Sequence, residues 1–334
     1  MDPLKQLARL RTAETRLHNI LRAHGVANDR ILEQKISDSG PINQRVDPHV
    51  LTSVRNRLVK NGDFVRIVRN GTPWYCLASA DTAAVEARLA TLHALHRQTQ
   101  DGAFANRIGQ VLEIAVYRAL ASQTELHYYG GFRDLDHHDD STNYSKNEPP
   151  DTLSGNSIHP KNLDFLVHTP DAVYAGIEVK NIRQWIYPNR PEIRDVLYKC
   201  CVLDVVPVLI ARRIHYSTFS VLNPCGVLIH QTYNQLYPTS DAALAAAVRQ
   251  KDTLGYHDVR TGNTPDARLV RFIQQHLPAL LPDARNRFDA FKDLLRDYAT
   301  ERHAYKSFAA RVKRRRNGQP EDGLPVEDPD EWEV

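Results

Sequence analysis

Three side chains in the middle of the chain have types and spacing that could do chemistry together. Asp164 lies in Asn162-Leu163-Asp164-Phe165-Leu166-Val167, and Glu178 and Lys180 lie in Gly176-Ile177-Glu178-Val179-Lys180-Asn181. In an extended segment from Val173 to Asn181, side chains alternate between faces, so Glu178 and Lys180 point one way and Ile177 and Val179 the other. Asp164 sits in an apolar, strand-like run, where a buried carboxylate is costly unless a cation, a metal or a hydrogen-bond donor meets it. Two acids and a lysine are expected to converge, giving hard oxygen ligands beside a fixed positive charge.

The elements that must position them can be read outward from this point. Leu163 to His168 and Val173 to Asn181 read as two strands joined by a turn at Pro170-Asp171, which makes a hairpin. Upstream, Phe104 to Ser122 reads as a helix burying Ile108, Leu112, Ala115, Val116 and Ala119. Glu113 lies at the edge of that stripe, about 100° round from Leu112, and one turn after Gly109, where the helix could lie close to a strand. A strand at Leu126 to Tyr129 precedes a long polar run, Asp134 to Asn162, which contains His137-His138-Asp139-Asp140 and reads as a solvated loop. Downstream, Pro191 to Leu203 carries Ile193, Val196, Leu197, Cys200 and Leu203 at helical spacing, and Val205 to Ala211 and Gly226 to His230 read as strands.

The order helical Glu113, strand Asp164, then Glu178-Val179-Lys180 resembles the PD-(D/E)xK nuclease superfamily, particularly Holliday-junction resolvases and restriction endonucleases. The resemblance covers roughly residues 102 to 232 and rests on the combination, since Glu-x-Lys alone occurs in any strand. It departs from the family pattern at one point, because Asp164 follows Leu163, while a literal Pro150-Asp151 lies in the upstream loop. Asp164 is the preferred member, because its apolar neighbours would hold it rigidly. The resemblance implies an α/β fold with a mixed central sheet flanked by helices, and an activity of phosphodiester hydrolysis.

On this reading Asp164, Glu178 and Glu113 would hold Mg²⁺, for which Mn²⁺ could substitute. Lys180 would position the attacking water and stabilise charge on the scissile phosphate. Asn181 and Lys199 read as surface groups. The plain structural alternative for the main set is a buried acid–lysine pair serving only the fold.

Residues 1–80 offer a partner for such a site. Helices are expected at Pro3 to His24, at Asp29 to Ser37, and from Asp47-Pro48 to Lys60, the last burying Val50, Leu51, Val54 and Leu58. Phe64 to Arg69 and Pro73 to Ala78 flank Asn70-Gly71, a hairpin signal. Three helices and a basic hairpin resemble a winged helix-turn-helix domain, in which the third helix enters the major groove and the wing touches the backbone. The resemblance implies contacts to double-stranded DNA from Ser53, Arg55, Asn56, Arg57 and Lys60 on the helix and Arg66 and Arg69 on the hairpin. Thirteen Lys or Arg against seven Asp or Glu over residues 1–80 agree with a polyanion partner. A winged helix used for dimerisation or protein contact is the alternative.

Asp81 to Gln98 reads as a connecting helix over 81–101, the sheet domain as 102–238, and 239–317 as a helical extension at Asp241 to Gln250, Asp266 to Leu277 and Asp283 to about Lys313. That extension is expected to pack on the sheet domain or on a second copy of the chain, which would make a homodimer. Residues 318–334 read as a flexible acidic tail. The formal charge of +3 conceals seven acids in the last fourteen residues, so residues 1–320 carry about +10. Cys76, Cys200, Cys201 and Cys225 lack metal or disulfide spacing and are expected as buried thiols. No membrane-length apolar run or signal-peptide core is visible, which places the chain in the cytoplasm. The function expected is a metal-dependent DNA endonuclease in restriction, phage defence or mobile-element processing. Its alternatives are a non-catalytic DNA-binding or regulatory protein that keeps the fold, and a nuclease for RNA or branched DNA.

Overall fold

The periodic stripes and turn signals become regular elements in a computed structural model of the chain, which describes residues 3–39, 45–137 and 140–321. Helix α1 (Pro3–His24) leads through β1 (Val26–Asn28) to α2 (Asp29–Ile36) and α3 (Pro48–Lys60). The hairpin β2 (Phe64–Arg69) and β3 (Thr72–Leu77) follows, then α4 (Thr82–Gln98) and α5 (Gly102–Ala121). Short strands β4 (His127–Tyr129), β5 (Gly131–Phe132), β6 (Lys146–Asn147), β7 (Thr152–Leu153) and β8 (Asn156–Ser157) precede β9 (Phe165–His168) and β10 (Tyr174–Lys180). Then come α6 (Pro191–Leu203), β11 (Val206–Ala211), α7 (Tyr216–Leu222), β12 (Leu228–Gln231) and β13 (Gln235–Tyr237). The chain continues through α8 (Ala242–Arg249), β14 (Val259–Thr261), α9 (Ala267–Arg271), α10 (Leu277–Ala299) and α11 (Tyr305–Arg316).

The architecture is mixed α/β in two compact units. In the first unit, residues 3–105 gather with 242–259, so α4 and α8 pack with the N-terminal elements. Its sheet has the order β1-β3-β2 and is antiparallel throughout. The β2–β3 turn falls on Asn70 and Gly71, both at positive φ as a type I′ turn requires. Leu51, Val54 and Leu58 of α3 are buried and Val50 is half-buried, and Trp74 on β3 is fully buried, edge-on to His96 of α4.

The second unit, residues 106–241 with 260–321, is built on a five-stranded sheet of order β12-β11-β10-β9-β4. Strands β10, β11 and β12 run parallel, while β9 pairs antiparallel with both β10 and β4, so the sheet is mixed. The expected hairpin is present, with Phe165 opposite Ile177 and His168 opposite Tyr174. Ile177 and Val179 join Leu112, Ala115 and Val116 of α5 in one core, and Leu166, Leu209 and α6 form the core on the other face. Helix α10 contributes to both, Leu277, Leu281 and Ala284 to the first and Phe288, Phe291 and Leu295 to the second. It passes so close to Gly226 that a Cβ there would lie 2.4 Å from the Ala284 carbonyl, and only glycine suits both that approach and the φ of +85°.

Some expectations are corrected. The single helix read from Asp283 to Lys313 is two, because α10 ends at Ala299 and α11 begins at Tyr305. Gly109 faces open space and permits no close strand approach; Gly176 on β10 does that, with a Cβ position only 2.6 Å from Leu163 and 2.9 Å from Cys200. Asp140, read as part of a solvated loop, is buried and accepts hydrogen bonds from the Tyr144 hydroxyl and the Thr239 amide. His138, Asp139 and the acidic residues from 322 onward lie outside the described residues. The four cysteines are buried free thiols. No helix among the described residues is long and apolar enough to cross a membrane.

Candidate functional site

Strand alternation and the β9–β10 register determine which side chains meet at the end of the sheet. Lys180 is the last residue of β10, and Asp164 directly precedes β9, its amide still donating to the Ile177 carbonyl at 3.1 Å. One Asp164 carboxylate oxygen accepts from the Val179 amide at 2.7 Å, which fixes the carboxylate across the hairpin. The other accepts from the Lys146 ammonium at 2.9 Å, and the same nitrogen lies 3.0 Å from Glu113 Oε2. Glu113 and Asp164 therefore converge on one cationic nitrogen.

Glu178 is 2% exposed and bound on both sides. Its Oε2 accepts from Lys180 at 2.7 Å, and its Oε1 from Lys199 of α6 at 2.6 Å. Lys199 also pairs with Asp195 one helical turn earlier, at 2.7 Å. The four acid and lysine positions expected from sequence thus fall in two neighbouring ion-paired sets, Glu113 and Asp164 on Lys146, and Glu178 between Lys180 and Lys199, with Asp164 close enough to act electrostatically on Glu178 and Lys180. Asp151 stands apart from it, in the β7–β8 hairpin, with its carboxylate 3.0 Å from His159 Nδ1 and bonded to Thr152.

Burial and mutual charge set the protonation of the group. Burial first, and the Asp164 charge second, push the Glu113 carboxyl up to about 7 against the pull of Lys146. The same two causes raise the Glu178 carboxyl. Burial alone pulls Lys180 and Lys146 down, but the surrounding carboxylates outweigh it and hold both ammonium groups above the ordinary lysine range. Both lysines are fixed cations at neutral pH and unsuited to taking up protons. Glu113, pushed up to about 7, changes charge near neutrality.

This carries a stability consequence. The folded protein binds the Glu113 proton more tightly than the unfolded chain does, so that contribution is greatest below about 4.5 and is lost as pH rises through about 7. Glu113→Gln should remove a pH-dependent loss on the order of 3 kcal/mol. Urea unfolding at acid and at mildly alkaline pH reads it directly; wild type and variant losing equal stability between the two would contradict the assignment.

Two readings from sequence are overturned here. Lys199 and Asn181, taken as surface groups, are 7% and 3% exposed. The Asn181 amide donates to the carbonyls of Ile108 at 2.6 Å and Leu236 at 2.7 Å, tying α5 and β13 to the end of β10. It positions the helix that carries Glu113. Lys199 had a legible signal, since it shares helical spacing with Val196, Cys200 and Leu203 on the buried stripe. Lys146 had none, because it lies in a polar run without period.

In the first unit, Ser53, Asn56, Arg57 and Lys60 of α3 are exposed, as are Arg66 and Arg69 of β2. Arg57 pairs with Glu14 at 2.8 Å and Arg69 with Glu86 at 2.6 Å, exposed pairs of small energy that another anion can replace. Arg55 differs from the rest. It is 7% exposed, bonded to Asp29 and stacked 4.7 Å over the Tyr75 ring, so its charge is committed within the unit.

Compared with family models, curated proteins and solved structures, the chain shows no match. Among the described residues no three or more His, Cys, Asp or Glu side chains are grouped as a ready-made metal-ligand set. What is gathered is two neighbouring sets of paired carboxylates and ammonium groups at the end of a mixed sheet, partly open to solvent at Lys180, whose side chain is 26% exposed.

Proposed function

We propose that the chain is a metal-dependent DNA endonuclease of PD-(D/E)xK type, with a restriction-endonuclease-like second unit and a winged-helix first unit. The observation that carries this reading is that Glu113 and Asp164, meeting on Lys146, lie within electrostatic reach of the Glu178–Lys180 pair, with the residues supplied by α5, the start of β9 and the end of β10. The helix, strand, helix, helix, hairpin order of residues 3–77 supports the winged helix, and the mixed sheet between α5 and α6 supports the nuclease core.

The donor chemistry suits Mg²⁺ or Mn²⁺. Two carboxylates already meet one cationic nitrogen at 3.0 and 2.9 Å, and every donor is a hard oxygen. Glu113 and Asp164 would hold the ion, with Glu178 beside them. When bound it would screen the phosphodiester and favour hydroxide from water near neutral pH. Lys180, tethered by Glu178, presents a permanent positive charge to the scissile phosphate and to an attacking water. Lys199 holds one oxygen of Glu178, and the Val179 amide one oxygen of Asp164, so both acids are fixed in orientation. Asn181 keeps α5, and with it Glu113, against the strand end.

One observation favours a second reading. Every acid of the group has a lysine partner, as a regulatory DNA-binding protein that keeps the fold without turnover would also show. Incubation with supercoiled, linear and branched DNA, with and without Mg²⁺ or Mn²⁺, separates the two. Divalent-dependent cutting is the expected result, and DNA binding without cutting under any of these conditions would favour the second reading.

The first unit is proposed to hold DNA through exposed Lys60 and Arg66. The double change Lys60→Ala, Arg66→Ala should make the slope of log affinity against log salt shallower by about 2, roughly 0.9 per phosphate contact. Fluorescence anisotropy across a salt series measures this. An unchanged slope would point to a protein-contact role for the unit.

A further inference from the structure

We infer that Lys146 is a resident counter-cation, which holds the Glu113–Asp164 carboxylate pair until a divalent ion and a phosphate group enter together. The inference rests on the nuclease reading and adds to it a residue outside the Asp, Glu and Lys positions on which that reading was built.

Three features of the fold carry it. Lys146 has a fixed backbone beneath a long, unbranched side chain: it pairs with Phe132 across β5–β6, and the neighbouring Ser145 carbonyl accepts from Arg133 at 3.0 Å. Its ammonium occupies the point where both carboxylates converge, at 3.0 and 2.9 Å. A second acceptor stands on the solvent side, since Glu148 Oε2 is 3.8 Å away and that side chain is 45% exposed. The ammonium can leave the acids for Glu148 by side-chain rotation alone.

Charge balance says when it will. Glu113, Asp164 and Glu178 are matched by Lys146, Lys180 and Lys199, and Asp195 by Lys161 at 2.6 Å, so with Glu113 ionised this inner set is neutral, the exposed Glu148 lying outside it. A divalent ion added to that set leaves two uncompensated charges in a poorly solvated site, which is costly. Displacing Lys146 outward removes one of them, and one phosphodiester removes the other. Metal alone is therefore held weakly, metal and nucleic acid together tightly, and Lys146 sets the coupling between them.

The test uses the full chain, MnCl₂ and a short DNA duplex. Calorimetry gives Mn²⁺ affinity with and without duplex for wild type and for Lys146→Met. Brief acetylation followed by peptide mass spectrometry reads the accessibility of the Lys146 amine in wild type, with exposed Lys161 as reference. Wild type should bind Mn²⁺ weakly alone and about tenfold or more tightly with duplex. The labelling of Lys146 should rise severalfold in the ternary mixture. Lys146→Met should bind Mn²⁺ tightly without duplex and gain little from it. Should that variant not fold, the wild-type labelling decides the matter alone. Mn²⁺ binding that leaves Lys146 equally protected, or equal affinities in both proteins, overturns this inference and leaves the nuclease reading standing. No Mn²⁺ bound by either protein, with or without duplex, overturns both the inference and the metal-dependent reading.

Discussion

Asp164→Asn and Lys180→Met are each expected to slow divalent-dependent DNA cleavage by about a hundred- to a thousandfold, with duplex affinity unchanged within about twofold. The changes are chosen so that the fold has little reason to respond. Asparagine keeps an oxygen to accept from the Val179 amide, the bond that now fixes Asp164 across the hairpin. It removes the negative charge that meets the Lys146 ammonium and would meet a metal ion. Methionine fills much of the volume of Lys180, whose side chain is 26% exposed, and removes only the charge at the strand end. Duplex affinity should persist, because on the proposed reading it comes mainly from phosphate contacts spread over the first unit. Cleavage by a folded variant at the wild-type rate would sink the assignment of that residue. Loss of duplex binding in parallel with cleavage would instead place the group in recognition.

How much of this was visible in the residues depends on whether a signal was local. Alternation along Val173 to Asn181 correctly sorted Ile177 and Val179 into the core and Glu178 and Lys180 onto the other face, because a strand's period of two is a backbone property. The buried stripe of α6 was legible for the same reason, at helical period. The preference for Asp164 over Asp151 rests on apolar neighbours, which are buried, although Asp164 itself directly precedes β9 and is tied to β10 through its amide and carboxylate rather than lying in a strand. What was not legible is what depends on chain segments meeting from afar. Lys146 reaches the site only because β6 pairs with β5, two residues on each side, too short for any periodic trace. Arg55 looked like one more exposed arginine of α3, yet Asp29 and Tyr75, from two other elements, bury it. The gathering of 242–259 with the N-terminal elements is likewise a matter of tertiary packing that no window of sequence contains.

The burial of Glu178 between two lysines makes a second large effect predictable, this time on stability. Glu178→Gln should cost about 3–5 kcal/mol of unfolding free energy, the range for removing one partner of a buried ionic group. Glu178 is 2% exposed and receives Lys180 on one oxygen and Lys199 on the other. A glutamine offers one oxygen and one NH₂ group, so one ammonium would face a donor and neither would find a negative charge at this position. Lys180 can turn toward solvent, but Lys199, 7% exposed on the buried side of α6, keeps only Asp195. Adding Lys199→Met should therefore recover part of the loss, because the stranded cation is replaced by an apolar chain of similar reach. Urea unfolding of both single variants and the double variant closes the cycle and gives the coupling. A single-variant loss below about 1 kcal/mol, with no recovery in the double, would mean that these pairs behave as solvated surface contacts. Lys146 would then have little reason to couple metal to nucleic acid, since that coupling requires the same charges to be poorly solvated.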